Sequence, residues 1–378
     1  MIHCRLLVLL AVASRLLAST VVLDLPPWQE RPRTEPDRAG QVLRTRSATL
    51  GLGAVSYGVV YRATTKTSEP AYLDLGEGPV GMMGPVSEGW YQGGFIVTTL
   101  NGQRLDSVPL SSFSPAETGS RALVDLVWHH PSADLRYRFG GLAGGDCLLL
   151  QIDVEPKTAV KSFEVRLVAY PSFFTGWHKR AGARRTLTPG GLTEEGQTKE
   201  FASAEGWYAL LYDEVFDPAR GEGTGACAVT VLPDGLEKVR IEPRSYPSYV
   251  TLVARPEARR LKLAFWKFNK EPNAAILARF PALAQTTREL LAGLDFSPRS
   301  LSTFDFDEVA KMATRAGESA ALGAVLNPRL AELRAWLEQT SSVAQGQPGI
   351  ASTEAFLAGR EEFQELLWQA RLAELLDF

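Results

Sequence analysis

Between Gln41 and Lys270 the chain is a succession of short runs in which apolar and polar residues alternate. LRYRF sets Leu135, Tyr137 and Phe139 on one side, and KSFEVRLVAYP does the same with Phe163, Val165, Leu167 and Ala169. CLLLQIDVEP, GWYALLYDEV, ACAVTVLP and RRLKLAFWKF continue the series, with glycine, proline and aspartate between them. A period of two belongs to a strand whose two faces meet different surroundings. Many such runs in a row, with turn residues at short intervals, predict a mainly β fold, an antiparallel β-sandwich. No long helical period intervenes, which argues against a doubly wound parallel sheet.

From about Glu271 the pattern changes. EPNAAILARFPALAQTTRELLAGL, DFDEVAKMATRAGESAALGAVL, NPRLAELRAWLEQTSSV and STEAFLAGREEFQELLWQARLAELL are rich in Ala, Leu, Glu and Arg at helical spacing. Asn327-Pro328 supplies a cap followed by proline at the first helical position, and Ser352 opens the last helix. Phe356, Phe363, Leu367 and Ala370 fall on one face of that helix. Residues 41–270 are therefore expected to form the sandwich and 271–378 an α-helical C-terminal domain of about four helices, structural or docking in role.

At the other end, MIHCRLLVLLAVASRLLAST reads as a secretory signal over residues 1–19. Arg5 precedes the apolar run LLVLLAVA, and small residues follow at Ala13-Ser14 and Ala18-Ser19. The run is too short, and broken too early by Arg15, to span a bilayer comfortably. A secreted or periplasmic location follows as an expectation. Residues 20–40, with LPPWQERPRTEPDRAG, read as a proline- and charge-rich linker or extended arm. Beyond the leader's Cys4 stand Cys147 and Cys227, either bridged, which an oxidising compartment permits, or two buried free thiols. A formal charge of −3 over 378 residues gives no basic excess of the kind nucleic acid demands.

LGLGAVSYGVVYRATTK, residues 50–66, has the look of a kinase glycine-rich loop, but the pattern fails. Gly51 and Gly53 fit, Ser56 stands at the third glycine position, and Gly58 comes two residues late. No V-A-I-K, H-R-D or D-F-G accompanies it, so the phosphate-cradling chemistry lacks its other parts. Two glycine-eased strands are the expectation instead.

Three stretches carry groups that suit a site. In DLVWHHPSADLRYRF, Asp125 and His129 share a strand face while His130 points the other way, so the histidines cannot both hold one metal without a bend. No metal and no cofactor is implied. In VRLVAYPSFFTGWHKRAGARR a strand runs into Tyr170, Trp177 and His178 and then a basic loop. Aromatic faces there suit sugar rings, and Lys179, Arg180, Arg184 and Arg185 suit carboxylates or sulfates. A core aromatic cluster capped by a solvated basic loop is the alternative. In EGWYALLYDEVFDP, Trp207, Leu211 and Asp213 are expected on one face and Tyr208, Tyr212 and Glu214 on the other. A carboxylate beside aromatics is what a glycan-processing acid or base looks like; a surface turn with solvated acidic residues is the alternative.

The stretch from Leu135 to Phe174 resembles the middle of galactose-mutarotase-like β-supersandwich proteins. In these a long apolar strand ends near a loop, and the next strand runs into a histidine-proline-aromatic turn. Tyr170-Pro171-Ser172-Phe173 stands in that turn, with tyrosine where the family has histidine. The resemblance implies a supersandwich associated with glycans. It does not imply mutarotase chemistry, which uses a histidine acid and a carboxylate base, because His178 comes eight residues late.

The leading expectation is a secreted protein that binds carbohydrate without catalysis through Tyr170, Trp177, Arg180, Trp207 and His130. A lyase or epimerase of acidic glycans is the second, with His178 or His130 as acid, Asp213 or Glu214 as base and Arg180 neutralising a carboxylate. A structural envelope protein whose helices dock a protein partner is the third.

Overall fold

The computed structural model describes residues 20–66, 72–73, 80–83, 89–171, 183–220, 223–316 and 320–376. The first sheet takes β1 (Val22–Asp24), β2 (Gln29–Pro32), β3 (Gln41–Gly51), β4 (Ser56–Lys66), β5 (Tyr72–Leu73) and β6 (Val80–Met83). Next along the chain come β7 (Ile96–Leu100), β8 (Gln103–Arg104), β9 (Ser112–Glu117), β10 (Arg121–His130), β11 (Ala133–Leu142), β12 (Leu148–Pro156) and β13 (Phe163–Ala169). They are followed by β14 (Arg184–Thr188), β15 (Gly191–Glu194), β16 (Lys199–Ala202) and β17 (Tyr208–Asp213). The last four are β18 (Cys227–Val231), β19 (Leu236–Pro243), β20 (Ser248–Ala254) and β21 (Arg260–Lys267).

These strands form a nine-stranded sheet in the order β15-β14-β17-β18-β21-β12-β11-β10-β9 and a six-stranded sheet in the order β16-β19-β20-β13-β7-β8. Their pairings are antiparallel. The inner faces close one core, in which Val124, Leu126, Tyr137, Phe139, Leu150 and Phe265 of the larger sheet meet Phe163, Val165, Leu167, Val250 and Leu252 of the smaller. The antiparallel β-sandwich is the architecture that the two-residue period predicts.

The LGLGAVSYGVVYRATTK stretch is the β3–β4 hairpin, paired from Gln41↔Lys66 to Gly51↔Ser56. Gly53 turns it at φ +120°, a conformation that disfavours a side chain. Leu50, Tyr57 and Val59 bury in the sandwich core, so the stretch covers apolar surface rather than a nucleotide. The segment 20–40 is an ordered arm, not a free linker. β1 and β2 both pair with β3, and Trp28 stacks edge-on to Tyr61 at 5.9 Å.

After β21 come α1 (Asn273–Gly293), α2 (Ser300–Thr303), α3 (Phe306–Arg315), α4 (Ala320–Leu326), α5 (Leu330–Gln339), α6 (Ser341–Ala344) and α7 (Ile350–Leu376). α1 belongs energetically to the sandwich. Its Ile276, Phe280, Ala284 and Leu291 pack on the outer face of the large sheet against Tyr208, Leu210, Ala228, Ala264 and Trp266. The later helices have their own core, a cluster of Phe304, Phe306, Trp336, Phe356 and Phe363 with Leu322 and Leu333. Gly359 is required there, since a Cβ would sit 2.5 Å from the Trp336 indole nitrogen.

Two helix starts differ from expectation. Asn327–Arg329 is a 3₁₀ turn, and the α-helix begins at Leu330. α7 begins at Ile350 rather than Ser352, because Glu155 on β12 accepts the Ile350 N–H with both carboxylate oxygens, each at 2.9 Å. An anion from the sheet thus occupies the positive end of the helix.

Cys147 and Cys227 are buried free thiols. Cys147 packs in the outer cluster beneath α1 and Cys227 in the inner core, on opposite faces of the sheet. Burial pushes the Cys147 thiol up to about 12 and the Cys227 thiol higher still. No helix among the described residues is long and apolar enough to cross a membrane.

Candidate functional site

The end of β13 meets the end of β17 and the start of β14 at one rim of the sandwich. Alternation turns Arg184 and Asp213 to the inner face, paired directly across the strands, with Thr186 and Leu211 as their inward neighbours. Both side chains are fully buried, and the Arg184 Nη1 donates to Asp213 Oδ2. The other oxygen of Asp213 accepts the backbone N–H groups of Ala183 at 3.0 Å and Val215 at 3.1 Å. Asp213 is therefore committed to holding two chain segments together, which corrects its reading as a catalytic base. A base must be able to reach a substrate proton. Arg184, expected in a solvated basic loop, is likewise a core residue.

Arg184 also stacks on Tyr170, its guanidinium 5.5 Å from the ring centroid. Tyr170 and Asp213 are thus brought together through one arginine. Burial pushes the Tyr170 phenol up to about 12, with the Arg184 charge opposing the rise. Tyr170 is placed by its N–H, which donates to Gly89 O at 3.0 Å, while the Tyr91 N–H donates to Val168 O at 3.1 Å. Tyr246 lies in the β19–β20 turn, which the Arg244 N–H closes on Pro247 O at 3.1 Å. The three rings meet, with Tyr170–Tyr246 centroids 5.3 Å apart and Tyr91–Tyr246 centroids 6.3 Å apart. Tyr246 is 44% exposed, so the trio shows an aromatic face at the surface. On the outer side of the same rim Glu214 lies exposed, 3.0 Å from Arg185.

The remaining expected residues stand elsewhere. Trp207 precedes β17 at the opposite end of that strand and packs outward, not beside Leu211 and Asp213. It contacts Tyr208 at 4.9 Å, with the Arg288 guanidinium 4.5 Å from its ring. His130 is buried at the β10–β11 turn and accepts the Ser132 N–H at 3.1 Å. Burial and the Lys157 charge hold its pKa below the usual range, which keeps it neutral rather than acidic. Trp177, His178 and Arg180 lie outside the described residues, as does Lys179. Among the described residues no group of His, Cys, Asp and Glu is arranged to hold a metal.

Sequence reasoning missed a belt of charge on the outer face of the large sheet. Arg138 grips Asp125 on β10 through Nε at 2.6 Å and a second bond, and both are 2% exposed. Its Nη1 donates to Phe296 O at 3.0 Å in the segment after α1. Asp153 accepts from Arg136 at 2.8 Å, Arg260 at 2.7 Å and Gln151 at 2.9 Å. Lys262 donates to Leu291 O at 3.0 Å and Leu294 O at 2.6 Å, and Arg121 to Asp295 O and Ser297 O. These cations cap the carbonyl end of α1. The legible signal was the second set of alternating positions, Arg136 and Arg138 in LRYRF and Lys262 in RRLKL, which an open sandwich would leave in water.

No protein-family profile matches the chain, and no curated protein matches it. Several solved structures are similar. One is a protein of Klebsiella pneumoniae subsp. pneumoniae described as an aldose 1-epimerase candidate, 8% identical at a TM-score of 0.39, with 72% of this chain and 88% of that one covered. Another is a GH36 α-galactosidase from Geobacillus stearothermophilus, 9% identical at 0.34, covering 65% of this chain and 41% of that one. A third is an α-N-acetylgalactosaminidase from Bifidobacterium bifidum, 10% identical at 0.39, covering 68% of this chain and 39% of that one. The sandwich itself stands on the strand register rather than on these neighbours.

Proposed function

We propose that this is an exported, carbohydrate-associated β-sandwich protein that binds glycan without transforming it, at the tyrosine face of Tyr91, Tyr170 and Tyr246. The observation that carries the reading is the Tyr246 ring, exposed at the surface and backed by two further aromatics that fix its orientation. An aromatic face held rigid in this way stacks on the apolar side of a sugar ring at small entropic cost. Arg185 and Glu214 stand on the outer side of the same rim, and Arg185, 3.7 Å from Glu194 and 3.0 Å from Glu214, would meet an acidic sugar by exchanging one of these carboxylates for it. The lyase or epimerase reading draws no support from Asp213, whose carboxylate is closed to substrate by Arg184 and two backbone amides.

Calorimetric titration with neutral and uronate oligosaccharides tests the proposal. Wild-type protein should bind, and Tyr246→Ala should weaken binding about fivefold, a loss on the order of 1 kcal/mol of stacking. Arg185→Ala should weaken uronate binding alone, and less so at high salt, where exposed charges are screened. Binding of both sugars untouched by Tyr246→Ala, or no binding at all, would remove the site.

A further inference from the structure

The C-terminal half of α7 has two apolar faces. Phe363, Leu366, Leu367 and Ala370 bury in the helical core. At 100° per residue, Trp368, Leu372, Leu375 and Leu376 fall on the opposite side. They are 61%, 47%, 73% and 78% exposed. A row of large apolar residues in water at helical spacing marks an interaction surface rather than scattered exposure. Glu365 and Glu361 continue the same stripe one and two turns before Trp368. A groove of about 530 Å³ opens beside them, between α7 and the start of α3, lined by Trp368, Asp305, Glu308 and Arg371 among others. Arg371 is bound to Glu308, its Nε donating at 2.9 Å, so the groove keeps an acidic surplus.

We propose that this exposed stripe, with the groove along its N-terminal part, docks a basic amphipathic helix from another protein. Its apolar residues would cover Trp368, Leu372 and Leu375, and its Lys or Arg residues one and two turns beyond Trp368 would meet Glu365 and Glu361. Charge complementarity selects this occupant. A second copy fits poorly. Antiparallel pairing centred on Trp368 sets Glu361 against Leu375, and parallel pairing opposes Glu365 to itself. Anionic lipid is repelled by the same carboxylates. The proposal is independent of the glycan reading.

The test uses the full chain and two synthetic helical peptides, one of leucine and lysine and its leucine and glutamate counterpart, followed by fluorescence anisotropy. The lysine peptide should bind, about tenfold more weakly to Trp368→Ala and to a Glu361→Lys, Glu365→Lys variant, and more weakly as salt rises. The glutamate peptide should not bind wild type. Because these side chains are exposed, the variants should melt as wild type does, so weakening reports the surface and not the fold. Lysine-peptide binding that ignores both variants overturns the proposal. So does self-association abolished by Trp368→Ala, which assigns the stripe to a second copy, or Trp368-dependent binding to phosphatidylglycerol vesicles, which assigns it to a membrane.

Discussion

On the inner face of the nine-stranded sheet, Arg184 and Asp213 stand at the rim of a core that is otherwise almost wholly apolar across β10, β11, β12 and β21. On the outer face, Arg138 with Asp125 and Arg136 with Asp153 lie in the middle of neighbouring strands and are buried as well. Both are buried ion pairs, yet they hold different things. The inner pair ties the ends of two chain segments through the amides of Ala183 and Val215. Of the outer pairs, Arg138, with Arg121 and Lys262, takes up the carbonyls at and just after the end of α1 and fastens a helix to the sheet. A sheet face that reads as half polar need not be open to solvent or ligand. Here its charge is the means by which helices dock.

The sharpest way to break this comparison is to remove one partner from each pair. Both oxygens of Asp125 accept from Arg138. Arg138→Leu therefore strands a buried carboxylate and should cost about 3–5 kcal/mol. Arg184→Leu should cost less, since Asp213 retains two backbone donors. Replacing Asp125 and Arg138 together by apolar residues should recover much of the loss. Urea unfolding of the variants measures all of these. A larger loss for Arg184→Leu than for Arg138→Leu would mean that the inner pair, not the helix-docking belt, is the more important charge in the fold.

A smaller effect sharpens the point. Lys262→Met keeps the apolar stem but leaves the Leu291 and Leu294 carbonyls without the ammonium. It should cost roughly 1–2 kcal/mol, and hydrogen exchange should quicken first in the last turn of α1. Exchange that changes evenly over the whole sheet would contradict a local capping role.

The same comparison explains what could be read in advance. The inner faces were legible because one strand carries its own evidence: Leu135, Tyr137 and Phe139 alternate whatever lies beside them. The helices were legible for the same reason, in Phe356, Phe363, Leu367 and Ala370. The charge belt was not, because its meaning lies between strands. Arg138 answers Asp125 and Arg136 answers Asp153 only once β10, β11 and β12 are in register. Asp213 was read as exposed chemistry on the same grounds, its partner Arg184 being nearly thirty residues away and assigned to a loop. Tyr91 and Tyr246 went unnoticed for a related reason. They lie far from Tyr170 in sequence and reach it through β13 and the β19–β20 turn.

The smallest predicted effect separates two charge clusters of the outer face by pH. His129 at the outer edge of β10 bridges Asp134 at 2.7 Å and Glu354 of α7 at 2.8 Å. Lys157 lies 2.6 Å from Asp134, and Glu155 is paired beside it on β12. An imidazole that serves two carboxylates must donate from both nitrogens, which requires the charged form. Burial works against that charge, but the hydrogen bond to Asp134 and the charges of Glu354 and Asp134 outweigh it, so the folded pKa is raised. The stabilisation is therefore complete below the unfolded value of about 6.5 and is lost as pH rises through the higher folded value. Asp153 runs the other way. Burial alone would raise its pKa, but Arg136, Arg260 and Gln151 hold it below the carboxylate range. Its contribution is present above an unfolded value of about 3.9 and is lost only as pH falls through the lower folded one. Melting temperature should accordingly decline gently above neutrality in wild type, and His129→Gln should flatten that decline while leaving the acid limb in place. The effect is small because His129 is partly exposed and solvent screens its charge. A His129→Gln variant whose alkaline decline matches wild type would show that α7 is held to the sheet by Glu155 and packing alone.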